Sequence, residues 1–223
     1  MSKVVHPFAH RLGILRDWRH RWFATGPQYQ ENLKADILLR EFLLKELRGM
    51  YVGGLEMERG KLLRVIIQTS RPGLIIGRSG EGSTKIKNSI QKFLQKHKLT
   101  VPEIKLDIEE IRSPESNAAI VAFMVAEGLE KRLPFRRVLK QTIEKVMANR
   151  DVKGVRIQIS GMLGSGSMSR TEGLKKGRIP LQTFRSDIDF HRERANLPLG
   201  VIGVKVWIYK GEVFAKNAKE NKQ

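Results

Sequence analysis

The feature that most constrains the fold is an ordered series of periodicities. Between residues 32 and 111 the apolar pattern reads helix, strand, strand, short helical turn, Gly77-Arg78-Ser79-Gly80, helix, strand. Asn32 stands as an N-cap, and Leu33, Ile37, Leu44 and Leu47 recur at helical spacing, which predicts a helix over 32–48 that Gly49 stops. Strands are expected at 51–58 and, after Gly60, at 61–69, where Leu63, Val65 and Ile67 share one face while Arg64 and Gln68 lie on the other. Pro72 opens the short turn. The helix beyond Gly80 runs to about His97 on a stripe of Ile86, Ile90, Phe93 and Leu94, and a last strand covers 104–111. Glycines at both ends of the loop let two helices meet at a tight angle. They also let a phosphodiester backbone approach main-chain N–H groups with no Cβ in the way, at a helix N-terminus that favours anions. The bland alternative is an ordinary helix–turn–helix corner, which the flanking strands disfavour.

This segment resembles a KH domain of the second topological type, whose loop clamps single-stranded nucleic acid. The resemblance makes Gly77, Arg78, Ser79 and Gly80, with Lys85 on the following helix, the candidate RNA contacts of the loop. Ser79 stands where a second basic residue is frequent, which weakens the electrostatic part of the clamp.

Charge agrees with a polyanionic partner. Forty-two Lys and Arg oppose 23 Asp and Glu, a formal +19, an excess usually kept for nucleic acid rather than for an anionic membrane surface or an acidic protein. The 40% hydrophobic fraction suffices for a core. The absence of cysteine removes disulfides, Cys-ligated zinc, iron–sulfur clusters and thiol nucleophiles. No apolar run reaches the roughly 18 residues of a membrane span. Arg11, Arg16, Arg19 and Arg21 interrupt any signal-peptide core. An Arg-rich start also suits an organellar transit peptide, against which Trp18, Trp22 and Phe23 suggest a folded or docked arm.

The expected organisation is a basic N-terminal arm over 1–30, the KH-like domain over 31–112, a boundary at Ser113-Pro114, a second domain over 113–214 and a disordered tail over 215–223. In the second domain, helices are expected at 116–132 and 135–149, separated by Pro134. Strands follow where Val155, Ile157 and Ile159 alternate with polar residues, then a flexible Gly/Ser turn at 161–169, then strands near 170–175, 183–190 and 201–210. The fold class is α+β, with two helices packed on a mostly antiparallel sheet. At 100° per residue, Arg136, Arg137 and Lys140 share one sector of the second helix. Phe135, Val138, Leu139, Thr142 and Val146 take the opposite side, and Lys131 and Arg132 add charge before Pro134. Such a stripe is either a solvated face or an RNA contact, and the net charge favours the second.

Asp187 and Asp189 share a strand face and could hold Mg²⁺ for a nuclease reaction, although salt bridges to Arg185, Arg192 or Arg194 are the preferred reading. The five histidines form no metal-ligand set, so no metal, cofactor or small-molecule substrate is expected. Trp207 and Tyr209 share a face with Lys205 and serve either base stacking or, preferably, packing.

The resemblance extends over residues 2–214. Lys3-Val-Val-His-Pro with Arg11-Leu12-Gly13, Arg71-Pro-Gly-Leu-Ile-Ile-Gly77, and Glu130-Lys-Arg-Leu-Pro-Phe-Arg-Arg137 stand in order. Arg170-Thr171-Glu172, Gly177-Arg178-Ile-Pro180, Arg185-Ser-Asp-Ile-Asp189 and Val201-Ile-Gly-Val-Lys-Val-Trp-Ile-Tyr-Lys-Gly-Glu212 follow. Together these motifs are similar to the bacterial-type ribosomal protein S-three family of the small subunit. The resemblance implies a non-enzymatic, ribosome-bound cytoplasmic protein on the solvent side of the subunit head. It implies binding to small-subunit rRNA and to neighbouring head proteins, partly through the arm. It also implies a place lining the mRNA entrance channel, with Arg136, Arg137 and Lys140 facing incoming mRNA and assisting its unwinding. Candidate rRNA contacts are Arg11, Arg16, Arg156, Arg170, Lys175, Lys176, Arg178 and Arg185. Met162 and Gly173 depart from the family pattern. The alternative function is a free KH-type RNA chaperone or ribosome-assembly factor.

Overall fold

The computed structural model describes residues 5–97, 99, 103–164, 166, 168–198 and 200–214. The tail expected at 215–223, and residues 165 and 167 of the expected Gly/Ser turn, lie outside the described residues. In chain order the elements are α1 (Pro7–His10), β1 (His20–Arg21), α2 (Pro27–Glu46), β2 (Val52–Arg59), β3 (Leu63–Thr69), α3 (Pro72–Ile76) and α4 (Glu81–Lys96). Then come β4 (Ile104–Glu110), α5 (Ala118–Glu130), α6 (Phe135–Ala148), β5 (Gly154–Met162), β6 (Ser169–Gly177), β7 (Ser186–Leu197) and β8 (Gly200–Glu212). Contacts divide the chain into two units, Trp18–Arg112 and Met1–Asp17 with Ser113–Gln223. The residues expected to form one arm are thus shared between them.

In the unit Trp18–Arg112 a sheet of order β1-β2-β3-β4 is parallel at β1/β2 and β3/β4 and antiparallel at β2/β3. One face is covered by helices. Leu39 and Leu43 of α2, Leu47 just past its end, and Ile86, Ile90 and Leu94 of α4 pack with Leu55, Met57, Leu63, Val65, Ile67, Ile75 and Ile104. The Phe42 and Phe93 rings stack at 4.4 Å. Each fully buried Leu or Ile here contributes about 2 kcal/mol of transfer free energy. The other face carries ion pairs: Arg64 with Asp107 and Glu58, Arg21 with Glu56 and Glu58, and Lys105 with Asp107.

The sequence reading of α2 is corrected in two ways. The helix begins at Pro27 after Gly26, not at Asn32, because proline at the first helical position has its φ already set. Its buried row is Ala35, Asp36, Leu39 and Leu43, continued by Leu47 just past its end, whereas Leu33, Ile37 and Leu44 are 39%, 51% and 47% exposed. The adjacent pairs Leu38-Leu39 and Leu43-Leu44 supply two helical rows, and periodicity alone cannot choose between them.

In the second unit, α5 and α6 cover one face of an all-antiparallel sheet of order β6-β5-β8-β7. Alternation places Val155, Ile157, Ile159, Val204, Val206 and Ile208 beneath the helices. The apolar helix α5 starts with two caps. Asn117 Oδ1 accepts from the N–H groups of Ala119 and Ile120, and Asp189 Oδ2 accepts from Ala118 N at 2.8 Å. On the opposite sheet face Ile188, Phe190, Trp207 and Tyr209 form a smaller cluster against Ile179 and Leu181. Packing, not base stacking, is therefore the task of Trp207 and Tyr209.

Residues 6–16 strap the edge of that cluster. The His6 ring meets Phe190 edge-on at 4.7 Å, and His10 stacks on Phe184 at 4.1 Å. Arg11 is fully buried. Its Nη1 donates to Pro7 O at 3.0 Å, its Nη2 to Leu181 O and Thr183 O at 2.9 Å, and its Nε to Ser186 O. Burial lowers the guanidinium pKa, against the opposing attraction of Asp187.

Candidate nucleic-acid interface

The GxxG loop joins α3 to α4 through a single turn at Arg78–Gly80. Ser79 takes a left-handed φ of 52° and Gly80 caps α4 with a φ of 80°. Arg78 and Ser79 are exposed at the tip. Lys85 stands one turn into α4, 3.9 Å from Glu81, an exposed pair of small energetic weight. Leu74 and Ile76 form an exposed apolar lip beside the loop. The tightest requirement falls on a glycine outside the motif: a Cβ on Gly82 would lie 2.3 Å from Ile75 O and 2.9 Å from Ile76 O. Its position as a third glycine at the start of the helix is the sequence signal for it. Gly82→Ala should push α3 from α4, cost on the order of 2 kcal/mol and weaken RNA binding. Denaturant unfolding and an RNA titration of the full chain check both effects.

The second candidate set lies on the other unit. Arg136, Arg137 and Lys140 are exposed on α6, while Val138, Leu139, Ile143 and Val146 are buried. Arg136 Nε is 3.9 Å from Glu172 Oε2, and Arg170 Nε is 3.3 Å from Glu172 Oε1. Both guanidiniums lie over the Phe135 ring, at 5.5 and 5.6 Å. The fold thus gathers Arg136 and Arg170 around one carboxylate and one ring, a grouping invisible in sequence because 34 positions separate them. Among the described residues, Arg137 and Lys140 have no ion-pair partner. Lys131 pairs with Glu127 at 2.6 Å, and Arg132 holds a left-handed φ of 59° in the turn before Pro134.

The remaining candidates separate by environment. Arg156, Lys175, Lys176 and Arg178 are exposed on or beside β5 and β6, with Arg156 directly opposite Lys175. Arg185 is paired with Glu212 and Arg16 with Asp187, each at 2.6 Å. Arg11 as an rRNA contact is corrected: its donors are spent on carbonyls of its own unit, and none of its charge reaches the surface. Asp187 and Asp189 have structural partners, Arg16 and the N-terminus of α5. No cluster of three metal-ligating side chains occurs among the described residues.

A GxxG loop between two helices on a mixed sheet, followed by an α/β unit with a basic helix, defines a KH-type RNA-binding protein of the α+β class. The KH domain family matches residues 38–116, and the family described as ribosomal protein S3, C-terminal domain, matches residues 125–208. The chain is similar to small ribosomal subunit protein uS3 of Idiomarina loihiensis, 40% identical over 100% of this chain and 96% of that one. The same protein of Endomicrobium trichonymphae is 42% identical over 99% and 92%, and that of Blochmanniella floridana 41% over 97% and 89%. The chain belongs to the ribosomal protein S3 family. It is an RNA-binding protein of the small ribosomal subunit, in a family of structural rather than enzymatic proteins.

Proposed function

We propose that this protein, ribosome-bound in the cytoplasm, binds small-subunit rRNA and lines the mRNA entrance channel, where it assists unwinding. The carrying observation is the exposed stripe of Arg136, Arg137 and Lys140 on the rigid helix α6, in which two of the three cations have no acidic partner among the described residues. Lys131 and Arg132 extend it. Cations held on a helix neutralise phosphates of a passing strand. Tighter holding of single strands than of duplex favours the open form, while translocation supplies the work. The Gly77–Gly80 loop with Lys85 serves as a second RNA clamp, and Arg156, Arg170, Lys175, Lys176 and Arg178 contact rRNA. A groove of about 660 Å³, lined by Trp18, Trp22, Tyr29, Leu33 and Ile37 together with the polar His20, Arg21, Asp36 and Arg40, supports docking of a neighbouring small-subunit protein.

Ribosomes carrying Arg136→Ala, Arg137→Ala and Lys140→Ala together should translate hairpin-containing messages several-fold more slowly and unstructured messages at the parental rate. Equal speed on hairpins would overturn the reading.

A further inference from the structure

The two sheets of this chain treat charge in opposite ways. On the open face of β1–β4 the cations of the rows face carboxylates: Arg21, Arg64 and Lys105 meet Glu56, Glu58 and Asp107. The face of the second sheet away from α5 and α6 is built otherwise. Its register sets Lys175 opposite Arg156 and Arg156 opposite Trp207. One row further, Gly173 lies opposite Gln158, Gln158 opposite Lys205 and Lys205 opposite Arg192. The next row runs Thr171, Ser160, Gly203 and Arg194. These three rows contain five cations and no carboxylate. The acids of the same strands, Glu172, Asp189 and Glu193, alternate to the helix side. The strap and the cluster around Phe190 and Trp207 cover one end of the face, and Arg156, Lys175 and Arg192 stand exposed beyond it. The Arg156 guanidinium lies 5.1 Å over the Trp207 ring, which fixes its position.

We propose that this face, centred on Arg156, Lys175, Arg192 and Lys205, is a third RNA site that seats a sugar-phosphate backbone; it rests on the reading of the chain as an rRNA-binding protein. Strands about 4.8 Å apart, with like-facing residues roughly 7 Å apart along each strand, set the cations in a two-dimensional array. Gly173, Gly203, Ser160 and Thr171 leave its centre shallow enough for a backbone to lie against the sheet. Cations set side by side in rows that carry no carboxylate repel one another, and phosphates relieve that repulsion while releasing counterions. An extended, regularly charged polyanion fits such a grid better than an acidic protein segment, whose charges are irregularly placed.

The test compares two double charge reversals in the full chain, Arg192→Glu with Lys205→Glu, and Lys45→Glu with Lys105→Glu on the other unit. Both change net charge equally. The probes are a 20-base-pair RNA duplex and polyglutamate of matched charge, and thermal unfolding verifies that both variants are folded. The first variant should reduce the slope of log affinity against log salt for the duplex by about 2 and weaken binding at least tenfold more than the second. Its loss for polyglutamate should be no larger than that of the second variant. Equal loss for both variants would overturn the proposal in favour of net charge alone, and equal loss of duplex and polyglutamate by the first would overturn it in favour of an unspecific anion surface. A parent protein that binds no RNA would instead refute the underlying RNA-binding reading.

Discussion

Arg11→Leu should destabilise the unit formed by residues 1–17 and 113–223 by about 4 kcal/mol, the largest effect expected of any single substitution here. The guanidinium is the shared donor for the carbonyls of Pro7, Leu181, Thr183 and Ser186. Leucine fills part of the volume but removes a donor from four carbonyls, two of them in fully buried bonds; Thr183 O keeps the Ser186 N–H at 3.2 Å, and each unreplaced loss costs about 1–3 kcal/mol before relaxation. Arg11→Lys keeps the charge yet should still cost about 2 kcal/mol, because an ammonium presents its donors from one point and cannot span the fork of acceptors. Denaturant titration of the full chain gives the free energies, and amide exchange locates the loss in β7 and β8. A lysine variant as stable as the parent would reduce the role of Arg11 to its charge.

Asp36→Asn should destabilise the unit Trp18–Arg112 by about 3 kcal/mol at neutral pH. Asp36 is buried on α2, where Oδ2 accepts from Trp22 Nε1 at 2.7 Å and Oδ1 from Arg59 Nε at 2.7 Å, with His20 Nδ1 3.4 Å away. Burial, the largest influence, pushes its pKa up. The nearby His20 ring, the hydrogen bonds from Arg59 and Trp22 and the charge of Arg59 together outweigh burial and hold the carboxyl below its ordinary value. A carboxylate with a depressed folded pKa gives stability that is present above the unfolded value, about pH 4, and lost as pH falls through the folded pKa. Parent stability should therefore decline on acidification below about pH 4, and the Asn variant should lack that part of the decline. Identical acid slopes of the two proteins, followed by amide exchange in α2 and β3, would contradict this assignment.

Neither residue announces itself in sequence. Arg11 and Asp36 look like surface charges until the fold brings partners from 170 or more positions away to the first, and from both sides along the chain to the second. The GxxG loop, the KH element order and the α6 stripe are legible because each depends on local spacing: a glycine at each loop end, and cations three and four apart opposite Val138 and Leu139. The inward row of α2 is not, since two leucine rows compete and the sheet decides. The sheet array of Arg156, Lys175, Arg192 and Lys205 is hidden for another reason. Each strand contributes one or two cations with ordinary alternation, and only the register of four strands sets them side by side.

The strap also imposes a schedule on synthesis. Arg11 leaves the ribosome early but bonds to Ser186, 175 positions later. At about 5–20 residues per second its last acceptor arrives roughly 10–35 s after it. The whole stretch Trp18–Arg112 is made in that interval and can close its core first. The strap therefore finds its place only after β7 has been made, and the unit it belongs to folds after Trp18–Arg112.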